Sequence, residues 1–214
     1  AEQEIKRLYV GKGYYAADVV TTITPIERNR VSIVFTVDEG SIAKIRQINI
    51  VGNKAFSESD LLAEMQLSTP NWLSWYTRTD QYSKQKLTAD LEALRSYYLD
   101  RGYLEFAIES SQVAITPNKR DVSLTVSIKE GERFTIEDIN FAGELLGKQS
   151  ELTSKLTLKK GDVFSATKLA ESTKAITELL GSYGYAFAAI NPQPKLDKEK
   201  RQVSLTLVVD PGKR

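Results

Sequence analysis

Residues 94–131 read LRSYYLDRGYLEFAIESSQVAITPNKRDVSLTVSIKEG, and the punctuation of this stretch decides the fold. Leu94 and Tyr98 continue the spacing of Leu87 and Leu91, which places all four on one face of a helix running from about Ser83 to Asp100. Gly102 ends that helix, because glycine enters the left-handed conformation at little cost. An extended segment follows over about 103–115, then the polar turn Pro117-Asn118-Lys119-Arg120. Val122, Leu124, Val126 and Ile128 are then apolar at every second position, as in a strand with one buried face. The stretch closes on Glu130-Gly131.

The same order of signals occurs three times. Helices stop at Gly13-Tyr14, Gly102-Tyr103 and Gly184-Tyr185. Alternating strands follow at Val31-Ile33-Phe35-Val37, at Val122 to Ile128, and at Val203-Leu205-Leu207-Val209, and the closing glycines are Gly40, Gly131 and Gly212. From Gly-Tyr to closing glycine the spacing is 27, 29 and 28 residues, so the chain is a tandem repeat.

Reading outward, the second and third copies also share a beginning. Ile45 to Val51 (IRQINIV) precedes Gly52, and Ile136 to Ala142 (IEDINFA) precedes Gly143; each is a short strand with a turn behind it. In the second copy Ser57 is placed to cap a helix, with Asp60 three residues on and Phe56 and Leu61 as a hydrophobic staple. Residues 68–81 are expected to be a loop. In the third copy Ser165 caps the second helix, and Leu169, Ile176, Leu180 and Tyr183 form its buried face. The first copy lacks the opening strand and first helix, so the sequence begins inside that copy's last helix.

Each full copy therefore reads β-α-α-β-β. The fold class is α+β: tandem domains, each a three-stranded mixed sheet with two helices on one face. The expected domains are 1–41 (the C-terminal part of one), 42–131 and 132–214, with a short connection near Glu132. Strand three alternates most strictly and belongs at the sheet centre. Strand two belongs at an edge, since in the third copy it carries Pro192 and Pro194, which cannot donate to a ladder. In the second copy Leu104, Phe106 and Ile108 alternate on even positions, and Val113 and Ile115 on odd ones. That change of phase predicts a bulge near Glu109 to Gln112.

Composition narrows the chemistry. The 214 residues carry 29 basic and 28 acidic side chains, interspersed, for a net charge of +1. No basic stripe marks a nucleic-acid binder. With no Cys and no His, the chain has no thiol nucleophile, disulfide, thiolate metal site or imidazole base. It offers no P-loop and no GxGxxG, no cofactor is expected, and no run approaches the roughly 18 apolar residues of a membrane helix. An enzyme working through carboxylates would be a rival only with a paired-carboxylate motif, and none stands out. A passive spacer is the other rival reading.

The tandem βααββ units closing on Glu-Gly or Pro-Gly resemble polypeptide-transport-associated (POTRA) domains. Ile48-Asn49-Ile50-Val51-Gly52-Asn53-Lys54-Ala55-Phe56 and Leu94 to Tyr103 resemble the third such domain of the outer-membrane β-barrel assembly factors. Pro25 with Arg28-Asn29-Arg30-Val31 resembles the hairpin of the second, and Leu179 to Ala186 (LLGSYGYA) resembles the fourth. The resemblance implies a periplasmic location, an attached C-terminal β-barrel lying outside this sequence, and lipoprotein partners. Its implied role is receiving unfolded outer-membrane proteins as a non-catalytic scaffold. Two-partner secretion transporters and import channels carry the same domains and are the nearest alternatives.

Two segments are candidate contact sites. The first is the edge strand Leu104, Phe106, Ile108, Glu109, Ser110, Ser111, Gln112 and Val113, which is either a protected edge or a docking strand for another polypeptide. The second is the aromatic loop Trp72, Trp75 and Tyr76, either tucked on the core or exposed as a partner anchor. Lys159-Lys160 and Lys198 to Arg201 read as solvated loop charges.

Overall fold

The computed structural model describes residues 1–71 and 74–213. Its elements are α1 (Glu2–Gly11), β1 (Asp18–Ile26), β2 (Arg30–Asp38), β3 (Lys44–Val51), α2 (Glu58–Ala63), α3 (Ser74–Thr77), α4 (Lys84–Leu99), β4 (Ala107–Ile115), β5 (Asp121–Lys129), β6 (Thr135–Gly143), α5 (Gln149–Ser154), α6 (Ala166–Ser182), β7 (Ala189–Asp197) and β8 (Gln202–Asp210). The sheets have the orders β1-β2, β3-β5-β4 and β6-β8-β7, so the third strand of each full repeat is central and the second is an edge. The chain forms two compact units, residues 1–94 with 108–129, and residues 95–107 with 130–214. Among the described residues no helix is long and apolar enough to cross a membrane.

In the first unit β5 buries Val122, Leu124, Val126 and Ile128 in strict alternation. β3 runs parallel to it, with Ile48 beside Leu124 and Ile50 beside Val126. Leu61 of α2 and Leu87 of α4 are buried with them. The Ser57 hydroxyl accepts the Asp60 amide at 3.2 Å and starts α2 as the sequence predicts. Asp90, 1% exposed, lies on the apolar face of α4. Its two carboxylate oxygens accept the amides of Gln66 at 2.7 Å and Leu67 at 2.9 Å. Desolvation holds its carboxyl above the ordinary aspartate range against the opposing pull of these amides and Lys86.

The second unit repeats the plan. β8 lies between its parallel neighbour β6 and its antiparallel neighbour β7. Leu152 of α5 and Ile176 and Leu180 of α6 pack on Leu207 and Val209, which sets both helices on one sheet face. Ser165 caps α6 by accepting the Lys168 amide at 3.2 Å. In place of the buried carboxylate, Ser172 accepts the Thr157 amide at 3.0 Å.

Each repeat is joined to its successor in the same way. The Gly13 carbonyl accepts the Ala43 amide at 2.8 Å, and the Ala43 carbonyl accepts the Tyr82 amide at 3.1 Å. The Gly102 carbonyl likewise accepts the Phe134 amide at 2.8 Å, and the Phe134 carbonyl accepts the Phe164 amide at 3.2 Å. Gly102 has φ +91°, and a β-carbon there would lie 2.8 Å from the Phe134 carbonyl oxygen. Its backbone conformation and the close neighbour both demand glycine.

Two expectations are corrected. The extended segment does not start at Tyr103: the Phe106 amide bonds back to the Tyr103 carbonyl at 3.1 Å in a turn, and β4 begins at Ala107. The expected loop 68–81 contains the helical turn α3, and Gln81 bridges to Lys44. The parallel ladders carry register shifts of their own, between Ile45 and Gln47 and between Ile136 and Asp138.

Candidate docking edge

β4 is the outermost strand of the β3-β5-β4 sheet. Glu109, Ser110, Ser111 and Gln112 are exposed, with Ile108 and Val113 half-buried at either end. Among the described residues, no hydrogen bond outside the sheet ladder involves residues 108–113. The backbone polar groups on the outer side of this strand are therefore open to an added strand.

β1, β4 and β7 are each nine residues long and each leads into a hairpin. Pro192 and Pro194, the fourth and sixth residues of β7, lie opposite Leu207 and Leu205 of the central strand. Pro25, the eighth residue of β1, lies opposite Val31. Each proline removes a backbone donor from its strand. β4 holds Ser110, Gln112 and Ala114 at the same counts along the strand and has no proline, so it keeps all of its backbone donors where β7 lacks two.

Leu104 and Phe106 do not belong to this edge. Leu104 packs against the core of Phe134, Ile136, Leu158, Phe164, Val203 and Leu205. The Phe106 ring stacks on Tyr98, with centroids 4.3 Å apart and planes at 13°. Their alternation with Ile108 reads as a strand, but a turn can also place every second side chain inward.

Sequence reasoning missed what anchors the start of the strand. Tyr98 is fully buried, and its hydroxyl donates to Glu130 at 2.8 Å. Burial, then the Glu130 carboxylate, push its phenol well above the ordinary tyrosine range. In the first repeat Tyr9 and Glu39 stand in the same places, and the Glu39 carboxylate, then burial, raise the Tyr9 phenol above its ordinary range. In the third, Leu180 and Pro211 replace both partners. The signal was present in the sequence as tyrosine with Glu-Gly and leucine with Pro-Gly.

Of the aromatic loop, Trp72 lies outside the described residues and Trp75 lies in α3. Tyr76, also in α3, is 76% exposed. Ser74 is buried beneath this turn, where its hydroxyl accepts the Asn71 amide at 2.8 Å.

Three segments, residues 1–40, 43–131 and 134–212, match the family model described as POTRA, surface antigen variable number repeat. The outer membrane protein assembly factor BamA of Neisseria meningitidis serogroup B is 30% identical over 211 residues, spanning 98% of this chain and 26% of that protein. BamA of Buchnera aphidicola subsp. Acyrthosiphon pisum is 28% identical over 212 residues, spanning 98% of this chain and 34% of that protein. The chain thus spans about a quarter to a third of the length of these relatives. The crystal structure of Haemophilus influenzae BamA POTRA3-5 aligns with a TM-score of 0.70 at 29% identity, covering 80% of this chain and 67% of that one. With matches along nearly its whole length and the βααββ order in both full repeats, the chain belongs to the POTRA family.

Proposed function

We propose that this chain is the periplasmic, polypeptide-binding scaffold portion of an outer-membrane β-barrel assembly factor. Its domains divide at 1–41, 42–131 and 132–214. It acts by binding rather than by catalysis, and its partners are assembly lipoproteins, unfolded outer-membrane proteins and a β-barrel carried on the same polypeptide. The outer edge of β4, from Ile108 to Val113, receives an extended segment of these partners as an added strand, and exposed Tyr76 offers a second contact. The observation that carries this reading is the proline-free edge: β4 is an outer strand and keeps amides at Ser110 and Gln112, the places where β7 has proline. Backbone pairing supplies affinity with little demand on sequence, which suits a factor handling many clients.

The test is a pair of proline variants. Adjacent amides of a strand point to opposite sides, so of Ser110→Pro and Ser111→Pro one removes a donor facing the ladder and the other an outward donor. The ladder variant is expected to lose stability. The other is expected to remain folded and to bind a peptide from an outer-membrane β-strand about two- to ten-fold more weakly, the effect of one net hydrogen bond. Unchanged peptide binding by the variant that stays folded overturns the docking reading.

A further inference from the structure

The two junctions differ at one position, and the difference leaves a charged cleft. Two residues before the Gly-Tyr glycine stands Asp100 in the second repeat and Gly11 in the first. Asp100 reaches the start of α6: its carboxylate accepts the Thr167 amide at 2.7 Å and the Thr167 hydroxyl at 2.8 Å. It thus caps the first turn of the next repeat's long helix, where unpaired amides favour an anion. At the other junction the equivalent helix is α4, with Ser83 in the place of Ser165 and Gln85 in the place of Thr167. Among the described residues no carboxylate reaches it there, and none outside the helix accepts from the Gln85 amide.

A cavity of about 350 Å³ lies at that place, lined by Arg7, Gly11, Lys12, Lys84 and Gln85 among others. A β-carbon built on Gly11 would meet nothing within 4 Å, so there is room at the root of the side chain that Asp100 has in the other junction. Three cationic side chains border it. Arg7 reaches Glu4 at 3.6 Å, but that pair is mostly solvent-exposed and only weakly neutralised. Among the described residues neither Lys12 nor Lys84 has an ion-pair partner.

We infer that this cleft, formed by Arg7, Lys12, Lys84 and the first turn of α4, binds a carboxylate presented by another polypeptide, taking the role that Asp100 fills internally at the other junction. The ligand class is an aspartate or glutamate side chain or the free carboxyl end of a polypeptide, since both present the same two oxygens to amides and cations. The site is separate from the β4 edge, so it stands or falls independently of strand addition.

The experiment uses the 214-residue chain and three short acetylated peptides of one sequence. One carries a single aspartate and an amidated end; one carries asparagine and a free carboxyl end; one carries asparagine and an amidated end. Binding is followed through the backbone amide signals of Lys84, Gln85 and Thr88. Saturable shifts with one or both charged peptides and none with the neutral one are expected, and which peptide acts identifies the source of the carboxylate. Gly11→Asp recreates the internal cap and is expected to abolish the shifts. Lys84→Gln is expected to weaken binding about five-fold, the effect of one partly exposed ion pair, and serves should Gly11→Asp fail to fold. Silence with both charged peptides, equal shifts with all three, or shifts that persist in folded Gly11→Asp would overturn the site.

Discussion

The second and third repeats share a backbone plan and fill it with opposite chemistry. Where the second uses Tyr98 bonded to Glu130, the third uses Leu180 and Pro211. Where the second buries the Asp90 carboxylate, the third buries the Ser172 hydroxyl. Where the second leaves amides on its edge, the third has proline. The polar solutions carry a cost: each works only while every partner is present, whereas leucine against proline needs none. The difference teaches that the second repeat holds its shape through directional bonds at two interior points, and that substitution at those points separates the two designs.

The largest effect is expected at Asp90. Asp90→Ala strands the buried amides of Gln66 and Leu67 and leaves a void, and about 3 kcal/mol of stability should be lost in urea unfolding. Ser172→Ala strands one amide and should cost about half as much. Asp90 also gives a pH signature. Because burial raises its carboxyl above the ordinary range, the folded chain holds this proton where the unfolded chain has released it. Stability from this group therefore falls as pH rises through the interval above about 3.9, the unfolded aspartate value. In Asp90→Asn that fall should vanish; an unchanged pH profile would show that the group does not titrate in that interval.

A smaller loss, about 2 kcal/mol, is expected for Tyr98→Phe, which removes a buried hydroxyl donor from the Glu130 carboxylate. Combining it with Glu130→Gln should cost less than the two single changes together, because the partners act as one unit. Full additivity in that cycle would break the contrast with Leu180 and Pro211. The smallest effect is expected at Asp100. Asp100→Ala removes the cap from α6 and should cost about 1 kcal/mol. At the equivalent Gly11 a substitution to Ala should be near neutral, since no capping bond is lost there.

Much of this architecture was legible in the residues themselves. Gly102 and the alternation of Val122 to Ile128 announce a helix end and a central strand, and Ser57 and Ser165 announce caps; the structure has each of them. Leu104 and Phe106 misled because alternation records which side chains point inward, not whether the backbone between them is extended. Asp90 escaped notice because a hydrophobic pattern treats aspartate as solvated, although it lies on the same face as Leu87 and Leu94. The capping by Asp100 was invisible for another reason. It depends on which helix start lies beside it, and that neighbour is 67 residues away in the sequence.

The bonds at Gly13 and Gly102 have a consequence for how such arrays evolve. Each ties the end of one repeat's helix to the strand that opens the next, through backbone atoms that any sequence possesses, at a residue every copy retains. Coupling of this kind is a nearest-neighbour property. A copy can therefore be duplicated or deleted by recombination between Gly-Tyr positions, and the same pair of amide–carbonyl bonds re-forms across the new boundary. Copy number is then free to drift while side chains such as Asp90, Asp100 and Ser110 diverge between copies, giving each one separate contacts on an unchanged frame.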